Sequence, residues 1–167
     1  MDQITSRWLA KETYRPTEIE VHYDKITPKL FAEEYIGTKN KIPTTYEVYC
    51  SNGKPLFITV ADFNYKDRTI GKSINYIQSY DIDWSVLPWY KKLYSNAPIP
   101  KNLSEILEIA STLSKDMDLL RVDLFDIDGK VYFNELTLSP GGFIFSSWNK
   151  TGIIEAGHRA LEVIGSM

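Results

Sequence analysis

The stretch that decides the fold covers residues 119–142 and reads LLRVDLFDIDGKVYFNELTLSPGG. Two runs rich in aliphatic, β-branched and aromatic residues, Leu119 to Ile127 and Lys130 to Ser139, flank the pair Asp128-Gly129. Asp-Gly between two such runs is among the strongest short-range signals of a β-hairpin. The stretch therefore predicts two antiparallel strands joined by a tight turn.

The register of this hairpin decides which side chains share a face. A plain two-residue turn would pair Asp123 with Asn134 and would place Glu135 on the opposite face. An odd-length loop, or one bulge, would instead pair Asp123 with Glu135 and Arg121 with Thr137. We predict the second register, through an odd-length loop, because it separates polar from apolar residues and a one-residue slip would bury the charges.

Each face of the predicted hairpin then has a distinct character. The polar face is expected to hold Arg121, Asp123, Glu135 and Thr137, with Phe125 and Phe133 toward the turn. The other face is expected to hold Leu120, Val122, Leu124, Leu136 and Leu138, with Asn134 as its one polar member. Such a division is typical of a hairpin that is buried on one side.

The polar face brings two carboxylates and a hydroxyl close to an arginine. Two like charges cannot share a half-dry sheet face unless a cation joins them or one is protonated. Mg²⁺ prefers oxygen ligands, takes few of them from protein and is completed by phosphate and water. The arginine would suit the negative charge that develops in phosphoryl transfer. A solvated sheet face with an ordinary Arg–Asp ion pair is the other interpretation, and spacing alone leaves both open.

The remaining segments predict an α+β fold. Further strands are expected at Glu18 to Tyr23, Leu30 to Ile36, Thr45 to Cys50, Pro55 to Phe63 and Ser73 to Tyr80. Helices are expected near Ile4 to Leu9, from Leu103 to Leu113 after a cap at Asn102 or Ser104, and from Ile153 to Ile164. Strands that come first and helices that come later favour a mostly antiparallel sheet with helices on one face.

Composition limits the function classes. The chain has 167 residues, of which 43% are hydrophobic and 25% charged, and its net charge of −3 argues against a general nucleic-acid binder. Cys50 is the only cysteine, which excludes an internal disulfide. No apolar run approaches the length of a membrane span, and the first residues do not resemble a secretory signal. We expect a cytoplasmic protein without a membrane span.

The aromatic segment of residues 81–100 offers a competing function. It contains Trp84, Trp89 and three prolines, and we expect an ordered loop in which the rings pack rather than a flexible linker. The same rings would suit a non-catalytic module that binds a glycan or a partner protein through this segment. Replacement of the two hairpin carboxylates would distinguish that module from an enzyme.

Several motifs of the chain occur together, in order, in one known family. The series consists of Glu33-Glu34-Tyr35-Ile36, Tyr46 with Cys50-x-Asn52-Gly53-Lys54-Pro55, Tyr80-Asp81-x-Asp83-Trp84, Arg121-Val122-Asp123 and Glu135-x-Thr137-x-x-Pro140. Several motifs in the right order are far more specific than any one of them. The chain resembles the ATP-grasp ligases, and within them the TupA-like branch linked to teichuronopeptide and surface-polysaccharide synthesis.

The resemblance implies a role for each matching residue. It implies that Asp123 and Glu135 are Mg²⁺ ligands, that Thr137 is a weaker ligand or a phosphate contact, and that Arg121 stabilises the acyl phosphate or the tetrahedral state that follows it. The segment formed by Glu33, Glu34, Tyr35 and Ile36 would be the hinge whose backbone meets adenine, with a carboxylate available for the ribose. Glu47 stands where relatives tend to carry a lysine. The cofactors implied are ATP and Mg²⁺.

The resemblance also implies a division of the chain. It covers the C-terminal ATP-grasp subdomain, which we expect over residues 25–167, after an extension or remnant of the preceding subdomain over residues 1–24. The implied function is an ATP- and Mg²⁺-dependent carboxylate–amine ligase that works through an acyl phosphate on a cell-surface polymer precursor or an amino acid. We expect it to need an N-terminal half, supplied by a complementary chain or replaced by homodimerisation. Members of this branch are sometimes labelled glycosyltransferases, for which these residues give no independent support.

Overall fold

The computed structural model describes residue 6 and residues 26–27, 29–38, 42–65, 72–92, 95–140 and 147–166. Within these ranges it contains six strands and two helices, which are labelled here in chain order. In chain order they are β1 (Thr45–Ser51), β2 (Lys54–Tyr65), β3 (Lys72–Tyr80), β4 (Val86–Leu87), α1 (Leu103–Leu113), β5 (Leu120–Ile127), β6 (Lys130–Thr137) and α2 (Lys150–Ile164).

One sheet joins all six strands in the order β4-β3-β2-β1-β5-β6. Every neighbouring pair is antiparallel. Strand β1 lies in the interior between β2 and β5, whereas β6 forms one edge. The predicted α+β class with an antiparallel sheet is confirmed.

Two hairpin turns have the backbone geometry that their sequences predict. Asn52 and Gly53 have φ values of 48° and 76°, and Asp128 and Gly129 have φ values of 52° and 80°. Positive φ at both central residues is the requirement of a type I′ turn, which suits the right-handed twist of the flanking strands. Asn-Gly and Asp-Gly adopt it with little strain, so both turns are determined locally.

The helices differ from the expectation that they share one face of the sheet. Ile106 and Ala110 of α1 pack in one buried cluster with the β1 residues Tyr46, Val48 and Cys50. Val163 of α2 packs in a second cluster with Tyr49, Phe57, Trp89 and Trp148. Because successive residues of a strand point to opposite faces, the alternation of β1 between the two clusters places α1 and α2 on opposite sides of the sheet.

Helix α2 begins three residues before the predicted position. Asn149 is its N-cap, and the side-chain Oδ1 of Asn149 accepts a hydrogen bond from the Gly152 backbone N–H at 2.8 Å. A Cβ atom at Gly152 would lie 2.5 Å from Cβ of Trp89. The first turn of α2 therefore approaches the Trp89 ring so closely that only glycine fits.

The strand expected at Leu30 to Ile36 is wrong. The described residues 29–36 have no regular secondary structure, and Leu30 and Phe31 are 45% and 81% exposed. High β-propensity produces a strand only where a neighbouring strand completes its hydrogen bonds and side-chain packing. The strand expected at Glu18 to Tyr23 and the first helix lie outside the described residues, apart from the single residue 6.

The segment of residues 81–100 is an ordered loop over its described parts, as predicted. Trp84 stacks on Tyr80 with ring centroids 4.4 Å apart, and its Nε1 donates a hydrogen bond to the Ala97 carbonyl. Trp89 is only 1% exposed. These contacts show that both rings of the loop are packed. Among the described residues, no helix is long and apolar enough to cross a membrane.

Candidate functional site

The β5–β6 hairpin has the register that the sequence predicts. Asp123 lies opposite Glu135, and Arg121 lies opposite Thr137. The predicted cause, an odd-length loop, is wrong, because Ile127 pairs with Lys130 across a two-residue turn. The register is instead shifted by a bulge next to Asp123.

The bulge changes the neighbours on the turn side of the carboxylates. Leu124 pairs with Phe133, so Asn134 is the extra residue between Phe133 and Glu135. Phe125 pairs with Tyr132. Phe125 and Phe133 were predicted to share the polar face, but Phe133 lies opposite Leu124 and so is on the other face. A bulge inserts one unpaired residue and bends its strand. The bulge thereby brings Asp123 and Glu135 together. Residues 132–134 line a cavity together with residues 33–37.

Arg121 joins the two carboxylates. Its Nε and Nη2 donate to the two oxygens of Asp123 at 2.7 and 2.6 Å. The same Nη2 donates to Oε1 of Glu135 at 2.7 Å. Thr137 Oγ1 donates to that Glu135 oxygen at 3.0 Å. All four residues predicted for the polar face therefore form one hydrogen-bonded cluster, which we call the carboxylate cluster.

A third carboxylate, Glu47, lies beside this cluster. Glu47 of β1 is the Cα partner of Asp123 of β5, and it is partly buried. The prediction of site residues did not include it. The sequence contained part of the indication, since Glu47 is a charged residue in the middle of a predicted strand between Tyr46 and Val48. Its lateral neighbour could not be inferred, because β1 and β5 are distant in sequence.

Two carboxyl groups of this face, those of Glu47 and Asp123, have raised pKa values. Burial raises the pKa of Glu47 to about 7, against the opposing influence of Arg121 and with reinforcement from Asp123 and Glu135. Burial also raises the pKa of Asp123 to about 6, although its hydrogen bonds and charge pairing with Arg121 act in the opposite direction. Three carboxylates thus face one guanidinium. When all three carboxyl groups are ionised, the three negative charges exceed the one positive charge of Arg121 by two.

The donor chemistry fits a hard divalent cation. Asp123 and Glu135 present carboxylate oxygens and Thr137 a hydroxyl, which are the ligand types of Mg²⁺. No group of three His, Cys, Asp or Glu residues within the described ranges is arranged to hold a metal. Mg²⁺ usually takes only one or two carboxylates together with water and substrate phosphate. Two carboxylates and a hydroxyl are the number and kind of protein donors that such partial coordination would use.

The predicted hinge lines a cavity next to the carboxylate cluster. The cavity volume is about 440 Å³, within the range of roughly 300–1,000 Å³ that small-molecule pockets occupy. Its lining comes from the hinge side, Glu33, Glu34, Tyr35, Ile36, Gly37, Ile42 and Pro43, and from the hairpin, Phe125, Tyr132, Phe133 and Asn134. Aromatic and aliphatic groups thus combine with a few polar ones, as in most ligand pockets.

One hairpin connects the cavity with the carboxylate cluster. Phe125 is two residues from Asp123 along β5, and Asn134 directly precedes Glu135 on β6. All eight predicted site residues therefore lie along the β5–β6 hairpin: four form the carboxylate cluster toward its open end, and four line the cavity nearer its turn. Gly141 and Gly142, the last two residues of the stretch that predicts the hairpin, lie outside the described residues.

Comparison with known proteins identifies the family. A family model described as TupA-like ATPgrasp matches residues 2–152 of the chain. A search of the curated proteins gave no match, and neither did a search of the solved structures. Since the family match spans most of the chain, the protein belongs to the TupA-like ATP-grasp family.

Proposed function

We propose that this protein is an ATP- and Mg²⁺-dependent ligase of the carboxylate–amine type. The observation that carries the proposal is the β5–β6 hairpin, which contributes both the carboxylate cluster and one wall of the 440 Å³ cavity. A nucleotide bound in the cavity would extend its phosphates toward Asp123 and Glu135. Family membership supports nucleotide binding in general.

The base of the nucleotide would lie in the cavity. Phe125, Tyr132 and Phe133 contribute aromatic residues to its lining, and residues 33–37 line it as well. The backbone of residues 33–37 belongs to no strand, and in the proposed complex its N–H and C=O groups would meet the edge of the purine. Glu33 or Glu34 would accept hydrogen bonds from the ribose hydroxyls.

The phosphates would be held at the carboxylate cluster. Asp123 and Glu135 would bind Mg²⁺, and Thr137 would serve as a weaker ligand or contact a phosphate oxygen. When bound, the ion would neutralise negative charge that develops during phosphoryl transfer. The Arg121 guanidinium, a planar donor suited to phosphate and carboxylate oxygens, would stabilise the acyl phosphate and the tetrahedral state formed from it.

The reaction would proceed in two steps, phosphoryl transfer and then acyl transfer to an amine. A substrate carboxylate oxygen attacks the γ-phosphorus of ATP, the bond to the bridging oxygen breaks, and ADP leaves. An amine then attacks the acyl carbon, inorganic phosphate leaves, and the amine loses a proton. Arg121 lies beside the two carboxylates of the cluster, where it would counter the charge on the transferred phosphoryl group in both steps.

The setting of the reaction is part of the same proposal. The acceptor would be a cell-surface polymer precursor or an amino acid, in polysaccharide or teichuronopeptide biosynthesis, and the protein would act in the cytoplasm. Residues 25–167 would form the C-terminal ATP-grasp subdomain. An N-terminal half, from another chain or replaced by a second copy, would complete the grip on ATP.

Isothermal titration of the chain with a non-hydrolysable ATP analogue, with and without Mg²⁺, tests the proposal. We expect binding that requires Mg²⁺ and that weakens more than about 100-fold in Asp123→Asn/Glu135→Gln, since even indirect partners of a metal site change affinity 10- to 100-fold. Glu135→Gln alone should also weaken binding, and it preserves the buried Arg121–Asp123 pair.

The matched control is Asp118→Asn/Glu162→Gln, which removes two exposed carboxylates elsewhere in the chain. It should bind like the parent protein. Binding that ignores Mg²⁺, or that survives Asp123→Asn/Glu135→Gln, would contradict the assigned metal ligands. Absence of binding at millimolar ligand would contradict nucleotide binding by this chain alone, and the ligase function would then belong only to an assembly that contains the N-terminal half.

A further inference from the structure

The position of one atom, Nη2 of Arg121, has a consequence for metal binding. It lies 2.6 Å from Oδ2 of Asp123 and 2.7 Å from Oε1 of Glu135. A cation that bridges the two carboxylates through Oδ2 of Asp123 and Oε1 of Glu135 would contact the same two oxygens as Nη2 does. The geometry therefore places the guanidinium where a bridging divalent cation would bind.

The surrounding bonds make this position well defined. Nε of Arg121 holds the second oxygen of Asp123, and Thr137 Oγ1 donates to the Glu135 oxygen that Nη2 contacts. The Asp123 side chain is 4% exposed, whereas that of Glu135 is 55% exposed. The Arg121–Asp123 half of the bridge is therefore buried and bidentate, and the Arg121–Glu135 half is the weaker, more solvated contact.

Building on the proposed function, we infer that Arg121 is a built-in competitor of the metal: a divalent cation binds Asp123 and Glu135 only by displacing Nη2 of Arg121 from Glu135. The displaced guanidinium keeps its charge on the same face, where it becomes a donor for the substrate phosphate or carboxylate. Metal binding and the availability of Arg121 are thus coupled.

The charges of this face support the exchange. Glu47, on the other side of Asp123, interacts electrostatically with Arg121 and attracts the guanidinium. Arg121 can therefore leave Glu135 and still face two carboxylates. With Glu47, Asp123 and Glu135 ionised, a divalent cation and Arg121 together would balance the charge of the face, so neither cation need be expelled.

Titration with Mn²⁺ alone, followed by electron paramagnetic resonance, tests the competition in the absence of nucleotide. We expect Arg121→Gln to bind Mn²⁺ roughly tenfold more tightly or better, the scale of one charge-assisted hydrogen bond. Arg121→Lys keeps the positive charge, but its single nitrogen cannot bond both oxygens of Asp123 and also Glu135. This variant should therefore also bind Mn²⁺ more tightly than the parent. The control Lys101→Gln removes one exposed positive charge outside the cluster and should behave like the parent.

A second measurement titrates the unaltered protein, and a variant is needed only to assign one resonance. The sequence contains five arginines, and comparison with Arg121→Lys assigns the Nε–H resonance of Arg121. During Mg²⁺ titration we expect this resonance to shift, with a midpoint equal to that of metal binding. An unchanged resonance during saturation, or equal Mn²⁺ affinity in Arg121→Gln, Arg121→Lys and the parent, would overturn the competition.

Failure of the proposed function gives a different result. Suppose that Glu135→Gln, the parent and the Arg121 variants all bind Mn²⁺ with the same affinity. The metal then does not use the assigned ligands, and the metal part of the proposed function fails together with the inference. If Glu135→Gln loses Mn²⁺ while the Arg121 variants gain nothing, the assigned ligand stands and only the competition is wrong.

Discussion

Asp123 shows how one buried residue depends on its neighbours. Its carboxylate is nearly inaccessible to solvent, and both of its oxygens accept hydrogen bonds from Arg121. Loss of one partner of a buried ion pair leaves an uncompensated charge and costs several kcal/mol. Glu135, at the exposed end of the cluster, is therefore the safer position for functional substitution.

Glu47 predicts a pH dependence of stability. Its pKa is about 7 in the folded protein and lies near 4.5 for an ordinary glutamate. Because the folded-state pKa is raised, its contribution to stability is fully present below pH 4.5 and is lost as pH rises through 7. We expect Glu47→Gln, which remains neutral, to be more stable than the parent by about 3 kcal/mol at pH 8.

Urea denaturation in metal-free buffer at pH 5 and pH 8 measures this effect. The advantage of Glu47→Gln should be small at pH 5 and should grow toward pH 8. Exposed Glu108→Gln on α1 is the matched control and should show no such trend. An advantage that is the same at both pH values would contradict the assigned cause.

At the scale of the element, the β5–β6 bulge connects local sequence to site geometry. The separation of polar and apolar residues predicted that Asp123 faces Glu135, and this is confirmed. The same pattern could not distinguish an odd loop from a bulge, because both restore the same pairing beyond the irregularity. The choice of a bulge depends on the Asp128-Gly129 turn, whose backbone accommodates a two-residue connection.

The two glycines within α2 give a matched pair of substitutions. Gly152→Ala places a Cβ 2.5 Å from Cβ and 2.6 Å from Cγ of Trp89, so we expect a loss of roughly 1–3 kcal/mol through overpacking. Gly157→Ala meets nothing within 4 Å, and we expect a gain of about 0.5–1 kcal/mol from helix propensity.

Chemical denaturation of both variants checks this pair. The opposite signs distinguish close packing of α2 from a general effect of alanine in that helix. A stabilised Gly152→Ala would show that α2 does not lie against Trp89 as described. A destabilised Gly157→Ala would show instead that the outer surface of the helix is covered.

At the scale of the whole molecule, the sheet separates two buried clusters. One contains Cys50 and is covered by α1, and the other contains Trp89 and is covered by α2. The helical spacing of residues 103–113 predicted that α1 has a buried side, and Ile106 and Ala110 occupy it. Which face of the sheet each helix covers was not predictable, since it depends on the path of the intervening chain.

Cys50 reports on the integrity of this arrangement. Its side chain is fully buried, and burial raises its thiol pKa to about 11, against a weaker opposing hydrogen bond with Ser114. Since thiolate formation and reagent access both require opening of the core, we expect native Cys50 to react with a disulfide reagent on the order of 10³-fold more slowly than in denaturant. Rapid stoichiometric labelling of the native protein would contradict the described core.

The sequence by itself determined the parts of this protein that depend on local conformational preference. These are the turns at Asn52-Gly53 and Asp128-Gly129, the helix over Leu103–Leu113, and the facing of Asp123 and Glu135 across one hairpin. Backbone dihedral preferences and the alternation of side chains act over a few residues, so they can be read without knowledge of the rest of the chain.

Only the tertiary structure decided what distant segments do to one another. It placed Glu47 beside Asp123, left residues 29–36 without a partner strand, and brought the predicted hinge against the β5–β6 hairpin. The lateral order of strands and the burial of a charge are properties of contacts between residues far apart in sequence. For that reason the candidate ligands were visible in the sequence, whereas their electrostatic environment was not.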